Sequence, residues 1–332
     1  SSFKKENIYL VTHEKFYFEI IGQLASLNPS IKLNIIKEPL SRNTLPAIAY
    51  ATKIINSINP NAIIGVFSSD HEIIEDNLFL EVINTSILLA EEKKIILLGI
   101  KPYEVNIGFG YIEMGNRHNI KQDEVYEIKE FYEKPNEARA REFIRKDFLW
   151  NSGIFVFKAN FFIKLLSNLQ PKIHNILFKN NVSFDFNDFE KLPNLSIDYG
   201  LLEKTKEILV IKTSLKWMDI GTWNSLHNYM LTKNKSSNSI AKKGDVYIKD
   251  SENCLIWSET KKTFAYGLKD LIVVNDIDTT FVCSKEKADD MKLIINEIKA
   301  SNEKIVNEHP FVNRPWGNYI TLYEGIKFKI KS

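Results

Sequence analysis

The sequence predicts an α/β fold, a parallel sheet covered by helices on both faces, with a small β-rich unit behind it. Three observations carry this. Short apolar, β-branched runs alternate with longer amphipathic ones through the first two thirds of the chain. The strand candidates are apolar throughout, as strands buried on both faces are. After Lys233 the texture changes to short strands separated by turn residues.

In order, residues 8–11 read as a strand and 14–27 as a helix, with apolar residues near i, i+3, i+4 spacing. Residues 33–36 are strand-like, Thr44–Ile58 helical, 62–67 strand-like and 77–92 helical, and Ile95–Ile100 closes a third βα repeat. Ligands of such sheets gather at the carboxyl ends of the strands, so the loops after Ile36, Phe67 and Ile100 are the places to search. Lys233-Asn234-Lys235-Ser236-Ser237-Asn238-Ser239 has no apolar residue and reads as a linker. Beyond it, strands are expected at 246–248, 254–257 and 271–274, and a closing helix at 288–298.

Composition removes several functions. In 332 residues, 44 Lys+Arg balance 42 Asp+Glu, and the net charge of +2 gives no electrostatic reason to expect nucleic acid or a membrane surface as partner. Apolar runs such as Ile95–Ile100 are far shorter than a membrane span. The charged opening Ser1-Ser2-Phe3-Lys4-Lys5-Glu6 does not read as a signal peptide. Cys254 and Cys283 make neither a disulfide framework nor a four-ligand zinc site. The chain reads as soluble and cytoplasmic.

No phosphate-loop, dinucleotide, zinc-protease or nucleophile-elbow motif is present. What remains is a set of polar clusters at strand ends. Glu38-Pro39-Leu40-Ser41-Arg42-Asn43-Thr44 opens a helix, with Asn43 or Thr44 as its cap; free amides there suit an anion or a base edge, although an ordinary cap with a surface Arg explains it too. Asp70 in Ser68-Ser69-Asp70-His71 follows a strand directly, where a carboxylate suits a divalent metal or simply a turn. Gly108-Phe109-Gly110-Tyr111 lets a ligand approach the backbone, or merely turns the chain. In Phe131-Tyr132-Glu133-Lys134-Pro135, the acid suits sugar hydroxyls and the base a phosphate; a solvated pair is the plainer alternative. Asn151 in Trp150-Asn151-Ser152-Gly153, Asp198, and Asp219 in Trp217-Met218-Asp219-Ile220-Gly221 each sit among apolar neighbours and need polar partners. Asp70 and Asp219 could hold one metal ion between them.

Together these clusters resemble the mannose-1-phosphate guanylyltransferases of bacteria in order and spacing over nearly the whole chain. The resemblance implies a Rossmann-like nucleotidyltransferase with a mixed, mostly parallel sheet, and a small C-terminal left-handed β-helix-like domain. It implies domains at 1–235 and 240–300, and a junction at 305–332, carrying Arg314-Pro315-Trp316-Gly317, toward an isomerase domain. The implied reaction transfers GMP from GTP to mannose 1-phosphate, giving GDP-mannose and pyrophosphate for polysaccharide synthesis. By the family's pattern, Asp70 and Asp219 are ligands of a catalytic Mg²⁺, and Glu38, Arg42, Asn43 and Thr44 line the nucleotide pocket. Gly110, Glu133, Asn151 and Asp198 hold the mannose, with Lys134 on its phosphate and counted with the catalytic aspartates. Two departures stand out. Ser69 replaces a usual Pro, and the family's opening strand with its glycine-rich, Arg-bearing loop has no counterpart, since residues 8–11 resemble the family's second strand. The chain is therefore expected to be part of a longer protein. A catalytically inactive, sugar-nucleotide-binding regulatory homologue is the alternative that this departure motivates, and the reading leaves room for a homodimer.

Overall fold

The computed structural model describes residues 4–28, 33–118, 124–179, 186–233, 240–259, 261–301, 311–314, 317–324 and 329–331. Its strands are β1 (Tyr9–His13), β2 (Asn34–Glu38), β3 (Ile63–Val66), β4 (His71–Ile73), β5 (Ile95–Ile100), β6 (Tyr111–Arg117), β7 (Val125–Tyr132), β8 (Leu149–Lys158), β9 (Ile208–Thr213) and β10 (Trp217–Asp219). The accompanying helices are α1 (Tyr17–Leu27), α2 (Thr44–Ile58), α3 (Asp76–Ala90), α4 (Glu137–Arg145), α5 (Ala159–Leu169), α6 (Pro171–His174), α7 (Phe186–Lys191), α8 (Ile197–Gly200) and α9 (Trp223–Lys233). The chain divides into two units, Ser1–Ser69 with Ile73–Trp217, and Asp70–Glu72 with Met218–Ser332.

In the first unit a sheet runs in the order β3-β8-β5-β9-β7-β6. β5 is buried from end to end, and its alternate side chains enter two separate cores. Ile95 and Leu97 pack with residues of α2 and α5, whereas Ile96, Leu98 and Ile100 pack with residues of α3 and α4. Each such aliphatic side chain contributes about 1.5–3 kcal/mol by leaving water. This is the covered α/β sheet that continuous apolar strands predict. The sheet is mixed, as expected, but parallel pairing does not predominate in it. β7 and β8 run against the other four strands, which leaves β5 with β9 as its parallel pair. The physical reason is that apolar runs report burial on two faces, while direction is set by the connections between strands. β1 and β2 form their own parallel pair.

Two other expectations need adjusting. Residues 14–16 make a 3-10 turn before α1 rather than part of it. Asn151-Ser152-Gly153, read as an interruption, lies inside the continuous strand β8, where the pairing with β5 shifts register and Gly153 takes φ +70°. A bulge of this kind lets a polar segment continue a strand. The linker expected at 233–239 lies, after Lys233, outside the described residues, as do Pro315 and Trp316 of the expected junction.

In the second unit, β11 (Ala241–Lys243), β13 (Leu255–Ser258) and β15 (Leu271–Asn275) stack in parallel register. β12 (Val246–Lys249) and β14 (Thr263–Tyr266) do the same beside them, and β16 (Thr280–Ser284) closes antiparallel onto β15. Such stacking of successive turns is that of a β-helix. Gly244 sits at φ +90°, and a Cβ there would run into the Ser258 carbonyl oxygen, so only glycine can make that turn. A 3-10 turn at Lys285–Asp290 leads to α10 (Met291–Ser301), and β17 (Phe311–Arg314), β18 (Gly317–Glu324) and β19 (Lys329–Lys331) pair antiparallel. Among the described residues, no helix is long and apolar enough to cross a membrane.

Candidate active site

The first unit gathers Gly110, Glu133, Lys134, Asn151 and Asp198 from four separate segments. The bulge in β8 turns Asn151 so that its backbone N–H donates to the Gly110 carbonyl at 2.8 Å and its side-chain amide donates to Asp198 Oδ1 at 3.1 Å. Its own Oδ1 accepts the Gly153 N–H. Glu133 leaves the end of β7 and lies so close to Gly110 that a Cβ there would be 2.7 Å from Glu133 Oε2 and 3.0 Å from Phe131 Cζ. Lys134, held at φ +46°, places Nζ 3.5 Å from Glu133 Oε1. Asp198 lies in α8, which Ser196 caps by accepting the Tyr199 N–H.

Two carboxyls therefore share a desolvated corner with one cation. Burial pushes Glu133 above the usual carboxylate range, and the charge of Asp198 raises it further, while Lys134 pulls it down. Burial likewise raises Asp198, against hydrogen bonds from the backbone and Asn151 and the charge of Lys134. Acceptors held this way are suited to the hydroxyl donors of a polyol, and the exposed ammonium of Lys134 to an anion.

The segment 38–44 is braced onto the same neighbourhood. Asn43, at φ +68°, caps α2 by accepting the Thr44 N–H on Oδ1 at 2.8 Å. Thr44 Oγ1 accepts the Ile197 N–H at 2.9 Å, next to Asp198. Arg42 is otherwise engaged than expected: Nε donates to the Phe189 carbonyl and Nη2 to that of Glu190, at 3.3 and 2.7 Å. Its guanidinium staples α7 to the loop, so in this conformation its charge is spent on backbone carbonyls. Glu38 is buried, and its Oε1 has no hydrogen-bond partner among the described residues. Burial pushes its carboxyl up to about 7, and its charge in turn raises the Tyr50 phenol, which burial raises first.

That shift carries a stability consequence. A carboxyl whose folded value lies above its unfolded one favours the folded state when protonated, and the advantage is lost as pH rises from about 4.5 to about 7. Glu38→Gln is therefore expected to raise the melting temperature at pH 8, by a gain of about 1–2 kcal/mol, and to make little difference at pH 4.5. Thermal melts of both proteins across that range check it.

In the second unit, Asp70, His71 and Asp219 each offer one ligand atom, all within 4.8 Å of one another. The Ile220 N–H donates to the Asp70 carbonyl at 2.9 Å, and Asp219 Oδ1 accepts the Gly221 N–H at 2.8 Å. Thr222 and Ser225 cap the start of α9 reciprocally. Burial lowers the His71 imidazole, opposed by the charges of Asp70 and Asp219. Two hard oxygen donors with a neutral imidazole beside them fit a divalent cation. Both aspartates of the expected metal pair belong to this group. His71, the third donor, was legible only as the neighbour of Asp70.

Residues 3–236 match the family model described as nucleotidyl transferase, and residues 244–298 that of the mannose-phosphate isomerase/GMP-like beta-helix domain. Mannose-1-phosphate guanylyltransferase 2 of Escherichia coli O157:H7 is 31% identical over 97% of this chain and 69% of its own length. Alginate biosynthesis protein AlgA of Pseudomonas aeruginosa is 30% identical over 97% of this chain and 68% of its own. A crystal structure described as mannose-1-phosphate geranyltransferase from Thermus thermophilus shares the fold, with a TM-score of 0.76 at 24% identity, covering 89% of this chain and 85% of that one. The resemblance read from short polar clusters thus extends through both parts of the molecule, and the chain belongs to the mannose-1-phosphate guanylyltransferase family of nucleotidyl transferases.

Proposed function

We propose that the protein transfers GMP from GTP to mannose 1-phosphate. A phosphate oxygen of the sugar phosphate attacks the α-phosphorus of GTP, the bond from that phosphorus to the β-phosphate bridge oxygen breaks, and pyrophosphate leaves with GDP-mannose formed. The observation that carries the reading is the meeting of Gly110, Glu133, Lys134, Asn151 and Asp198, a hydroxyl-accepting corner with a cation at its edge. In this reading Glu133 and Asp198 accept mannose hydroxyls, Asn151 orients Asp198, and Lys134 meets the sugar's phosphate. Glu38 to Thr44 contribute to the nucleotide pocket, with Asn43 and Thr44 shaping the loop and Arg42 bracing it. Asp70 and Asp219 hold the divalent cation, Mg²⁺ in this proposal, with His71 at their side. A cation bound there supplies charge neutralisation on the phosphate oxygens, which together with positioning is most of what phosphoryl-type transfer requires.

The test is pyrophosphate release from GTP, Mg²⁺ and mannose 1-phosphate, alongside calorimetric titration of the sugar phosphate. Turnover with mannose 1-phosphate and much less with glucose 1-phosphate is the expected result. Equal use of both sugars, or none of either with mannose 1-phosphate unbound, would sink the proposal.

A further inference from the structure

The Asp70 segment is held at two places. Beside the paired strands β4 and β10, the Ile220 N–H, three residues ahead of α9, donates to the Asp70 carbonyl. Six residues into α9, Tyr229 Oη donates to Glu72 Oε1 at 3.0 Å. Lys233, one turn further, places Nζ 3.4 Å from the same oxygen. Glu72 lies two residues after Asp70, and Asp219 ends β10, with three residues between it and α9. The pairing of β4 with β10 and the clasp of α9 on Glu72 therefore set the position of both carboxylates together.

The helix is itself fixed by the β-helix. His227 is fully buried, and its Nδ1 lies 2.9 Å from Lys285 Nζ, within hydrogen-bond distance. Asn224 donates to the Lys285 carbonyl at 3.0 Å and to Asp289 Oδ2 at 3.2 Å. Trp223, Leu226, Met230 and Leu231 pack onto Leu255, Ile272 and Ala288.

The geometry points to Tyr229 as a positioning residue for the divalent cation: through Glu72 it holds Asp70 at its distance from Asp219, and the β-helix holds Tyr229 in place through His227. This rests on the assignment of the cation to Asp70 and Asp219 made above. It gives the β-helix a part in the chemistry, as the support of the helix that spaces the metal ligands. Groups that orient metal ligands from behind commonly tune affinity more than fold.

The probe is Mn²⁺ alone, its free concentration followed by electron paramagnetic resonance, so that turnover is not needed. Tyr229→Phe keeps the ring and removes the hydroxyl. Its Mn²⁺ dissociation constant is expected to rise about tenfold, the low end for loss of a group behind a metal ligand, with the melting temperature unchanged. Lys233→Met, at an exposed site, gives a test by sign. Loss of a nearby positive charge would by Coulomb's law raise affinity for a cation, whereas loss of the clasp on Glu72 lowers it; a lowered affinity is expected. Unchanged Mn²⁺ binding in Tyr229→Phe, or a raised affinity in Lys233→Met, overturns the inference. If Asp70→Asn binds Mn²⁺ as the wild type does, the metal assignment itself falls, which separates the two failures.

Discussion

Replacing Asp219 by Asn is expected to slow guanylyl transfer by about two to three orders of magnitude, the range seen when one preorganised electrostatic group is lost from a reacting centre. The amide keeps the shape of the side chain and an oxygen to accept the Gly221 N–H, which Asp219 Oδ1 now accepts at 2.8 Å. The entry into α9 should therefore survive, and so should the melting temperature. What disappears is half of the formal negative charge that Asp70 and Asp219 offer a cation. Pyrophosphate release at saturating GTP and mannose 1-phosphate, measured over a range of Mg²⁺, checks the expectation. A variant that keeps more than about a tenth of the wild-type rate would remove Asp219 from the proposed metal site, because a carboxylate ligand of a catalytic cation cannot be worth so little.

Gly110→Ala is the second large effect. A Cβ at this position meets Glu133 Oε2 at 2.7 Å, closer than side chains tolerate, and Phe131 Cζ at 3.0 Å, tighter than most such contacts. The backbone cannot retreat, since the Gly110 carbonyl accepts the Asn151 N–H at 2.8 Å. Glu133 must therefore swing out of the corner it shares with Asp198. The expected result is a fall of about a hundredfold in kcat/KM for mannose 1-phosphate, the usual size of a misplacement near 1 Å, with the KM for GTP little changed. The overpacking should also cost about 1–3 kcal/mol in stability. Separate KM measurements for the two substrates distinguish this from general damage, which would raise both.

Much of this was legible in the sequence, and the exceptions have physical causes. Thr44–Ile58 and Ile95–Ile100 begin and end where their patterns say, because a capping Asn and an unbroken apolar run are local signals. The direction of β7 and β8 was not legible, because an apolar run reports burial and carries no mark of polarity along the sheet. Nor was the bulge in β8, where three polar residues look like a loop until Gly153 is seen to continue the strand. The five residues expected at the sugar from family likeness do lie together. Arg42 shows the limit of such transfer: motif position gives a residue's type, and only packing shows that its guanidinium is engaged by the carbonyls of Phe189 and Glu190. Tyr229 and Glu72 left no sequence signal at all. A tyrosine on a half-buried helix and a glutamate in a short strand are ordinary, and 157 residues separate them.

The second unit is discontinuous: three residues, Asp70–Glu72, belong with a body that otherwise begins at Met218. Its consequence is that no fragment confined to the C-terminal stretch of this unit carries both carboxylates of the proposed cation site. A C-terminal fragment starting at Met218 carries Asp219 and Tyr229 but leaves behind Asp70 and the Glu72 that Tyr229 clasps. A cut between Lys233 and Ile240 would instead leave Asp70, Glu72, Asp219 and Tyr229 on one piece and remove the β-helix that braces α9.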